Sequence, residues 1–417
     1  MPNTILTPVE VTRESLVILH TMTTFIAGIN REYSKQFAQT GAKIGSTINI
    51  RLPNRYYVSD GAALDPQATS ETYVPLTLNH QWHTDMAFTT MELTLSLDNF
   101  SKRIIAPAIR KLVTYIDWTG LAQVLNIYNN VGTPGTTPGT TSALTTLASP
   151  ASPQIFLNAG AYLDAFAAPD DGMRQIVITP IANAQSVAGL SGLFNAQEVI
   201  GEQYKKGVMV PSLGFRFYRD QNINYLTTGT HAISGATPTV NAANQTGASL
   251  TTAGWTDGTT QMTVGETFTI QGVYSVNPEN QQSTGLLANF TVTSAVASSG
   301  GVATIGISPS IIAIGANVAN GTVTASPALN ATIAFTSGAA NTAFPLMIAN
   351  HRDAFTLGTA DLEMPEGVHF AGRENFEGIS MRLVRQYLIN SDQIPCRVDV
   401  LGGLATLRPE LGVRILG

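Results

Sequence analysis

Few residues of this chain could do chemistry, and their spacing serves it poorly. His80, His83 and Asp85 are metal-ligand types within one short stretch, the kind of set that could begin a zinc site. The stretch reads as a polar strand, and on a strand the side chains of residues 80 and 83 leave opposite faces, so they cannot close on one ion. Ser191 lies between Gly189 and Gly192 without the G-x-S-x-G spacing that exposes a hydrolase serine, and a helix end explains it. Lys205 and Lys206 have no glycine-rich phosphate cradle beside them. Asp170 and Asp171 fall in an Ala-Pro-Asp-Asp-Gly turn, where carboxylates serve local hydrogen bonds. Cys396 is the only cysteine, a small core hydrophobe in a strand candidate that can make neither an intrachain disulfide nor a cysteine zinc cage. No catalytic, cofactor-binding or metal site follows, and the sequence reads as a protein that is not an enzyme.

Composition points the same way. The 417 residues suffice for two or three packed units, and only 12% are charged, about half the usual share. Such a surface suits burial against partners. A formal charge of -6 excludes a dedicated nucleic-acid binder, whose affinity needs clustered Lys and Arg. No basic segment leads into an apolar run at the start, and no stretch of about 18 apolar residues occurs, so neither secretion nor membrane insertion is expected. A reducing cytoplasm suits the single thiol.

The elements that position these residues can be read from periodicity. Thr7, Pro8 and Glu10 supply a helix start, and Leu16, Leu19, Phe25, Ile26 and Ile29 carry the helix to about Phe37. Ile44, Ile48, Ile50 and Leu52, then Met91, Leu93, Leu95 and Leu97, show the two-residue period of strands. With the polar 59–72 tip between them they suggest a long two-stranded arm that needs a neighbour. Asp98 caps a second helix with an apolar stripe through Ile109, Leu112, Val113 and Ile116; Pro107 should kink it, and it continues towards Tyr128. A Thr/Gly/Pro loop at 133–146 precedes a helix at 152–166, a buried strand at 174–179, a helix at 183–194 and a strand at 214–220.

The sharpest change comes next, because no Lys or Arg occurs between Arg219 and Arg352. Strand patterns at 266–276 and 288–296 predict a small sandwich or barrel, placed at 224–342. Mixed patterns resume at 345–353, with further strands at 380–389 and 396–401.

In their order along the chain, VTRESLVIL (11–19), GAKIGSTINIRLPNRYYVSDGAALD (41–65), LSLDNFSKRIIAPAIR (95–110), GFRFYRDQNI (214–223), VGETFTIQGVYSVNP (264–278) and RVDVLGGLATLRPELGVRI (397–415) resemble the coat proteins of P22-type short-tailed phages. The resemblance spans nearly the whole chain. It implies an α+β Hong Kong 97-type capsid fold with an inserted all-β barrel-like domain. The layout would be an N-terminal arm and helix (1–40), an extended loop (41–97), a spine helix and peripheral domain (98–150), and an axial domain (151–223 and 343–378). The inserted barrel (224–342) would split the axial domain, and return strands (379–417) would rejoin the peripheral domain.

The function implied is a major capsid protein, self-assembling into hexamers and pentamers of an icosahedral head that encloses double-stranded DNA without sequence-specific contact. Implied partners are further copies of itself, a scaffolding protein, a portal protein and a decoration protein, with assembly in the bacterial cytoplasm and residence in the virion capsid. Arg51, Arg55 and Asp60 on the loop and Arg103, Arg110 and Lys111 on the spine are the candidate intersubunit contacts. The basic residues that some relatives use for salt bridges in the insert are absent here. The competing readings are a nanocompartment shell of the same fold and a tail or fibre protein displaying the Thr-rich region.

Overall fold

The computed structural model describes residues 24–33, 46–67, 71–89, 106–132, 134, 154–189, 211–235, 237–315, 318–376 and 379–417. The chain divides into two compact units. One comprises Met1–Leu52, Tyr73–Leu121 and Phe355–Leu407, the other Pro53–Thr72, Ala122–Ala354 and Arg408–Gly417.

The first unit is built on the long strand Gln393–Thr406, which pairs antiparallel with His80–Thr89, Phe355–Ala360 and Ile379–Arg385; Phe370–Phe376 adds to the last of these. One sheet face is apolar because Cys396, Val398 and Val400 alternate with charged neighbours. Against it lies helix α1 (Ala106–Leu121). Its Ile109, Leu112, Val113 and Ile116 are buried, as the stripe in the sequence requires. Each such side chain contributes roughly 1.5–3 kcal/mol. Val113 and Ile116 share one apolar void with Ile26, Trp82, Leu357 and Val400.

The helix expected through residue 37 is not what residues 24–33 form. They make a short 3-10 turn, Ile26–Gly28, and then an extended bridge from Asn30 to Thr356. The reason is tertiary competition. The Asp117 carboxylate accepts the backbone N–H groups of Thr24 (3.0 Å) and Ile26 (3.1 Å), and Asn30 exchanges backbone hydrogen bonds with Phe355 and Leu357. The rest of that expected helix lies outside the described residues. Helix α1 also gives way earlier than expected: a 3-10 turn occupies Ala122–Asn126, and Asn130–Val131 is a strand beside Arg414 and Ile415.

The arm is paired differently from the sequence reading. Thr47–Arg51 pairs with Tyr73–Thr77, with Thr47 opposite Thr77 and Arg51 opposite Tyr73, rather than with 91–97, which lies outside the described residues. Pro75 disguises the partner strand. In a two-stranded sheet both strands are edges, so a proline without an N–H is tolerated there. Ile50 and Leu76 from the pair are buried with Ala405 and Leu407. The approach is close: a side chain on Gly403 would place its Cβ 1.9 Å from the Thr77 carbonyl oxygen, and one on Gly402 would meet the Trp82 ring at 2.5 Å.

The second unit holds a five-stranded mixed sheet in the order Asn130–Val131, Gly412–Ile415, Met347–His351, Arg174–Ile178 and Arg216–Arg219. Its three inner strands are buried throughout. Helix α2 (Gln154–Ala165) packs on it through Ile155, Phe156, Ala159 and Leu163. Helix α3 (Pro180–Gly189) begins earlier than the expected 183, since Thr179 caps it by accepting from the Ala182 N–H at 3.1 Å.

The rest of this unit is a barrel, as the composition break suggested. Thr267–Val276 pairs with Ser283–Val292, that with Val302–Ile311, that with Gly247–Ala253, that with Thr239–Val240. The ring closes when Thr239 bridges Thr332 and Ile333–Phe335 returns to Thr267–Val276. Residues of one parity, among them Ala303, Ile305 and Ile307, point inward to Leu250, Phe268, Ile270, Phe290 and Val292. A side pair of strands, Gly258–Met262 and Val296–Ser299, extends one wall.

The foot of the barrel is fastened to the mixed sheet by groups far apart in sequence. Asn130 donates to the hydroxyls of Thr267 (2.5 Å) and Thr336 (2.9 Å), and Asn277 donates to the Ala165 carbonyl at 2.8 Å. Arg414, fully buried, donates to the carbonyls of Gly265 and Leu125 and to the Thr291 hydroxyl. Burial pushes its guanidinium down to about 9. A segment devoid of Lys and Arg thus receives its cation from the final strand. Beside it Glu266, also fully buried, accepts from the N–H groups of Gly229 and Thr263 and meets His231 Nε2 at 2.5 Å.

Candidate functional site

Among the described residues no group of three or more His, Cys, Asp or Glu side chains could hold a metal ion. His80 stacks on Trp82 at 5.3 Å while His83 turns to Asp85, with Nδ1 2.9 Å from the carboxylate, so the two histidines do not converge. Asp171 accepts from the Met173 N–H, a turn role, and also meets the buried His351 Nε2 at 3.2 Å. The Met173 bond first, then His351, holds its carboxyl below the usual range. Cys396 is buried, which pushes its thiol up to about 11 and makes the reactive thiolate scarce. No described helix is long and apolar enough to cross a membrane.

What the molecule offers instead are surfaces. On the loop of the second unit, Gln67 clamps the backbone of Tyr57 from both sides, accepting from its N–H at 3.0 Å and donating to its carbonyl at 2.6 Å. Ser59 donates to Asp65 at 2.6 Å. This internal bracing holds out two apolar side chains, Val58 at 97% and Leu64 at 91% exposure. Partial burial, then the Asp65 charge, raises the Tyr57 hydroxyl above its ordinary range.

The candidate contact residues fall in different settings. Arg55 pairs with Glu410 at 3.2 Å, a carboxylate that Arg408 also meets at 3.1 Å, so it braces the loop base within the chain. Asp60 is exposed on the loop, and Arg51 ends its strand at the surface. Arg110 and Lys111 are exposed on α1; Arg103 lies outside the described residues.

Sequence reasoning missed two features. The first is a charged row across the outer face of the first unit's sheet, where His83, Asp399, Arg382 and Arg373 stand directly opposite one another on four successive strands. Asp399 is fully buried and takes a two-pronged bond from Arg382 (3.0 and 2.6 Å) and a third bond from Gln81 at 2.9 Å. Register is not visible in separate strands, so no local signal marks the row. The second is a pair of exposed aromatics on α1, Tyr115 and Trp118, with ring centroids 5.5 Å apart. A helical wheel would have shown them opposite the buried stripe.

The family model described as P22 coat protein - gene protein 5 matches residues 82–417. No curated protein sequence matches the chain. Among solved structures, one from Mycobacterium phage Che8 is 12% identical with a TM-score of 0.46, covering 94% of this chain and 90% of that one. The capsid of Ralstonia phage GP4 is 7% identical with a TM-score of 0.44, covering 95% and 92%. The mature capsid of bacteriophage PhiM1 is 10% identical with a TM-score of 0.43, covering 89% and 81%. These likenesses are low, whereas the family match takes in the α1 helix, the mixed sheet, the barrel and the closing strands. The chain belongs to the P22 coat protein family, and is a major capsid protein of the phage shell.

Proposed function

We propose that copies of this coat protein close into an icosahedral head of hexamers and pentamers around double-stranded DNA. The DNA would be contained without sequence-specific contact. The proposed arrangement is the Hong Kong 97-type layout: arm at 1–40, extended loop at 41–97, spine and peripheral domain at 98–150, axial domain at 151–223 and 343–378, barrel at 224–342, and return strands at 379–417. A scaffolding protein and a portal protein would guide assembly in the bacterial cytoplasm.

The observation that carries the reading is the braced loop tip. Val58 and Leu64 are held in solvent by a loop that spends its own polar groups on staying rigid, an arrangement with no use in an isolated monomer. On another copy the tip would lose that apolar area to solvent exclusion, and closed symmetry would sum many such modest contacts. Asp60, Arg110 and Lys111 are the strongest candidates for accompanying charged contacts, since among the described residues no intrachain ion pair occupies them. Mixing the purified chain with its scaffolding protein should give closed shells by electron microscopy. Only monomers or open tubes would overturn the proposal.

A further inference from the structure

Asn320–Gly321 is the only Asn-Gly pair in the chain, and such a pair can react with itself. The backbone nitrogen of the second residue attacks the Asn Cγ, so that a new N–Cγ bond closes a five-membered succinimide while the Cγ–Nδ2 bond breaks and ammonia leaves. Water then opens the ring at either carbonyl, giving aspartate or isoaspartate. Glycine in second place makes the attack easiest, because no Cβ crowds the nitrogen. Asn320 is exposed, and among the described residues its carboxamide has no hydrogen-bond partner, so the electrophile is free to turn. Each event would add a carboxylate to a stretch that holds no Lys or Arg.

The glycine cannot be exchanged for a safer residue. A Cβ at position 321 would lie 2.6 Å from Ile314 Cγ2 and 2.8 Å from Gln281 Oε1. The packing that demands glycine also holds its nitrogen. The Gly321 N–H donates to Gln281 Oε1 at 3.0 Å, and Gln281 Nε2 donates to the Pro278 carbonyl at 3.2 Å, which fixes the carboxamide with its oxygen towards the glycine. Gln281 stands at φ 53°, a left-handed conformation that is costly for an L side chain. It is kept there by its own N–H on the Asn277 carbonyl at 3.0 Å, in a turn where the Asn277 side chain accepts from Glu279 at 2.8 Å and Asn280 at 3.2 Å. On the other side Thr322 donates its N–H to the Ile312 carbonyl at 2.8 Å and its hydroxyl to the Ser310 carbonyl at 2.6 Å. Attack on Asn320 therefore requires the Gly321 nitrogen to leave Gln281 and its peptide to rotate against a fixed Thr322.

We propose that Asn320 is a site of spontaneous deamidation in this chain, and that Gln281, by holding the Gly321 N–H, keeps the site closed while the barrel is folded. Three Asp-Gly pairs, Asp60–Gly61, Asp171–Gly172 and Asp257–Gly258, can form the same ring only by losing water and regain it on opening, so their mass does not change and they do not mimic the reaction. The proposal stands apart from the self-assembly reading, because it concerns one chain.

Purified full-length chain, wild type and Gln281→Gly, incubated at mildly alkaline pH in buffer and in urea, tests it; mass spectrometry of the peptide containing Asn320 follows the gain that separates acid from amide. Glycine suits φ 53° and removes only the side chain. In urea both chains should convert at the same rate, since Gln281 lies 40 residues away in sequence. In buffer the wild-type site should convert far more slowly than in urea. Gln281→Gly should speed the folded reaction roughly tenfold, the worth of one hydrogen bond opened before attack. Hydrogen exchange of the barrel strands, protected in both chains, shows that the variant has lost the contact and not the fold. A wild-type chain that converts as fast in buffer as in urea would overturn the proposal, and so would a folded Gln281→Gly that converts no faster than wild type. The Gly321 amide gives a second measurement that needs no variant: it should be protected from exchange in the folded wild type, and free exchange there overturns the role of Gln281.

Discussion

Asp399 is the residue on which the first unit's sheet depends most. It is fully buried, yet Arg382 and Gln81 satisfy its oxygens and the flanking Arg397 lies 3.5 Å away. Removing one partner of a buried pair strands the other, at about 3–5 kcal/mol. Asp399→Ala should therefore lower unfolding free energy by that order in denaturant titration, with Asp85→Ala, at an exposed site on the same face, within about 0.5 kcal/mol of wild type. Asp171 makes a different prediction. Its carboxyl lies below the usual range in the folded chain, so the stability it contributes is present above the ordinary carboxyl pKa and is lost as pH falls through its lowered folded value. Asp171→Asn should lower the melting temperature at neutral pH and flatten that acid limb, the variant and wild-type profiles converging below the folded value. Of these side chains the sequence displayed only the turn role of Asp171. Its link to His351, 180 residues away, and the row through Asp399 depend on register, which no local pattern encodes.

At the scale of elements, the tightest joint is the close approach of Gly403 to the Thr77 carbonyl. Gly403→Ala would force the Tyr73–Thr77 strand off the sheet. Overpacking of this kind costs typically 1–3 kcal/mol, and hydrogen exchange of 73–77 and of its partner 47–51 should speed up while the barrel strands keep their protection. The same joint shows where reading by periodicity stops. Thr47–Arg51 was visible from alternating Ile48 and Ile50, but Pro75 hid its partner and the pattern at 91–97 drew the pairing elsewhere. Helices fared better when an apolar stripe decided them, as in α1, and worse when a tertiary group intervened. The turn at Ile26–Gly28 follows from Asp117, a residue that no helix rule for 7–37 could have included.

For the whole molecule, the loss of Lys and Arg between Arg219 and Arg352 announced the barrel, because a strand-rich run with so few charges buries itself by pairing with itself. The sequence could not announce how its foot is held, since Arg414 arrives from the last strand. The loop tip carries the prediction proper to this scale. Val58→Asp with Leu64→Asp touches residues almost wholly in water, so unfolding free energy should stay within about 0.5 kcal/mol while shell formation, followed by sedimentation, is abolished. Normal shells from that variant would show that the tip does not carry assembly. The barrel answers a different problem. Because Thr239 bridges Thr332, its first and last strands meet, which leaves less open backbone edge for another copy to pair with. Neighbouring copies can therefore crowd together at capsid density without one barrel templating fibre growth from the next.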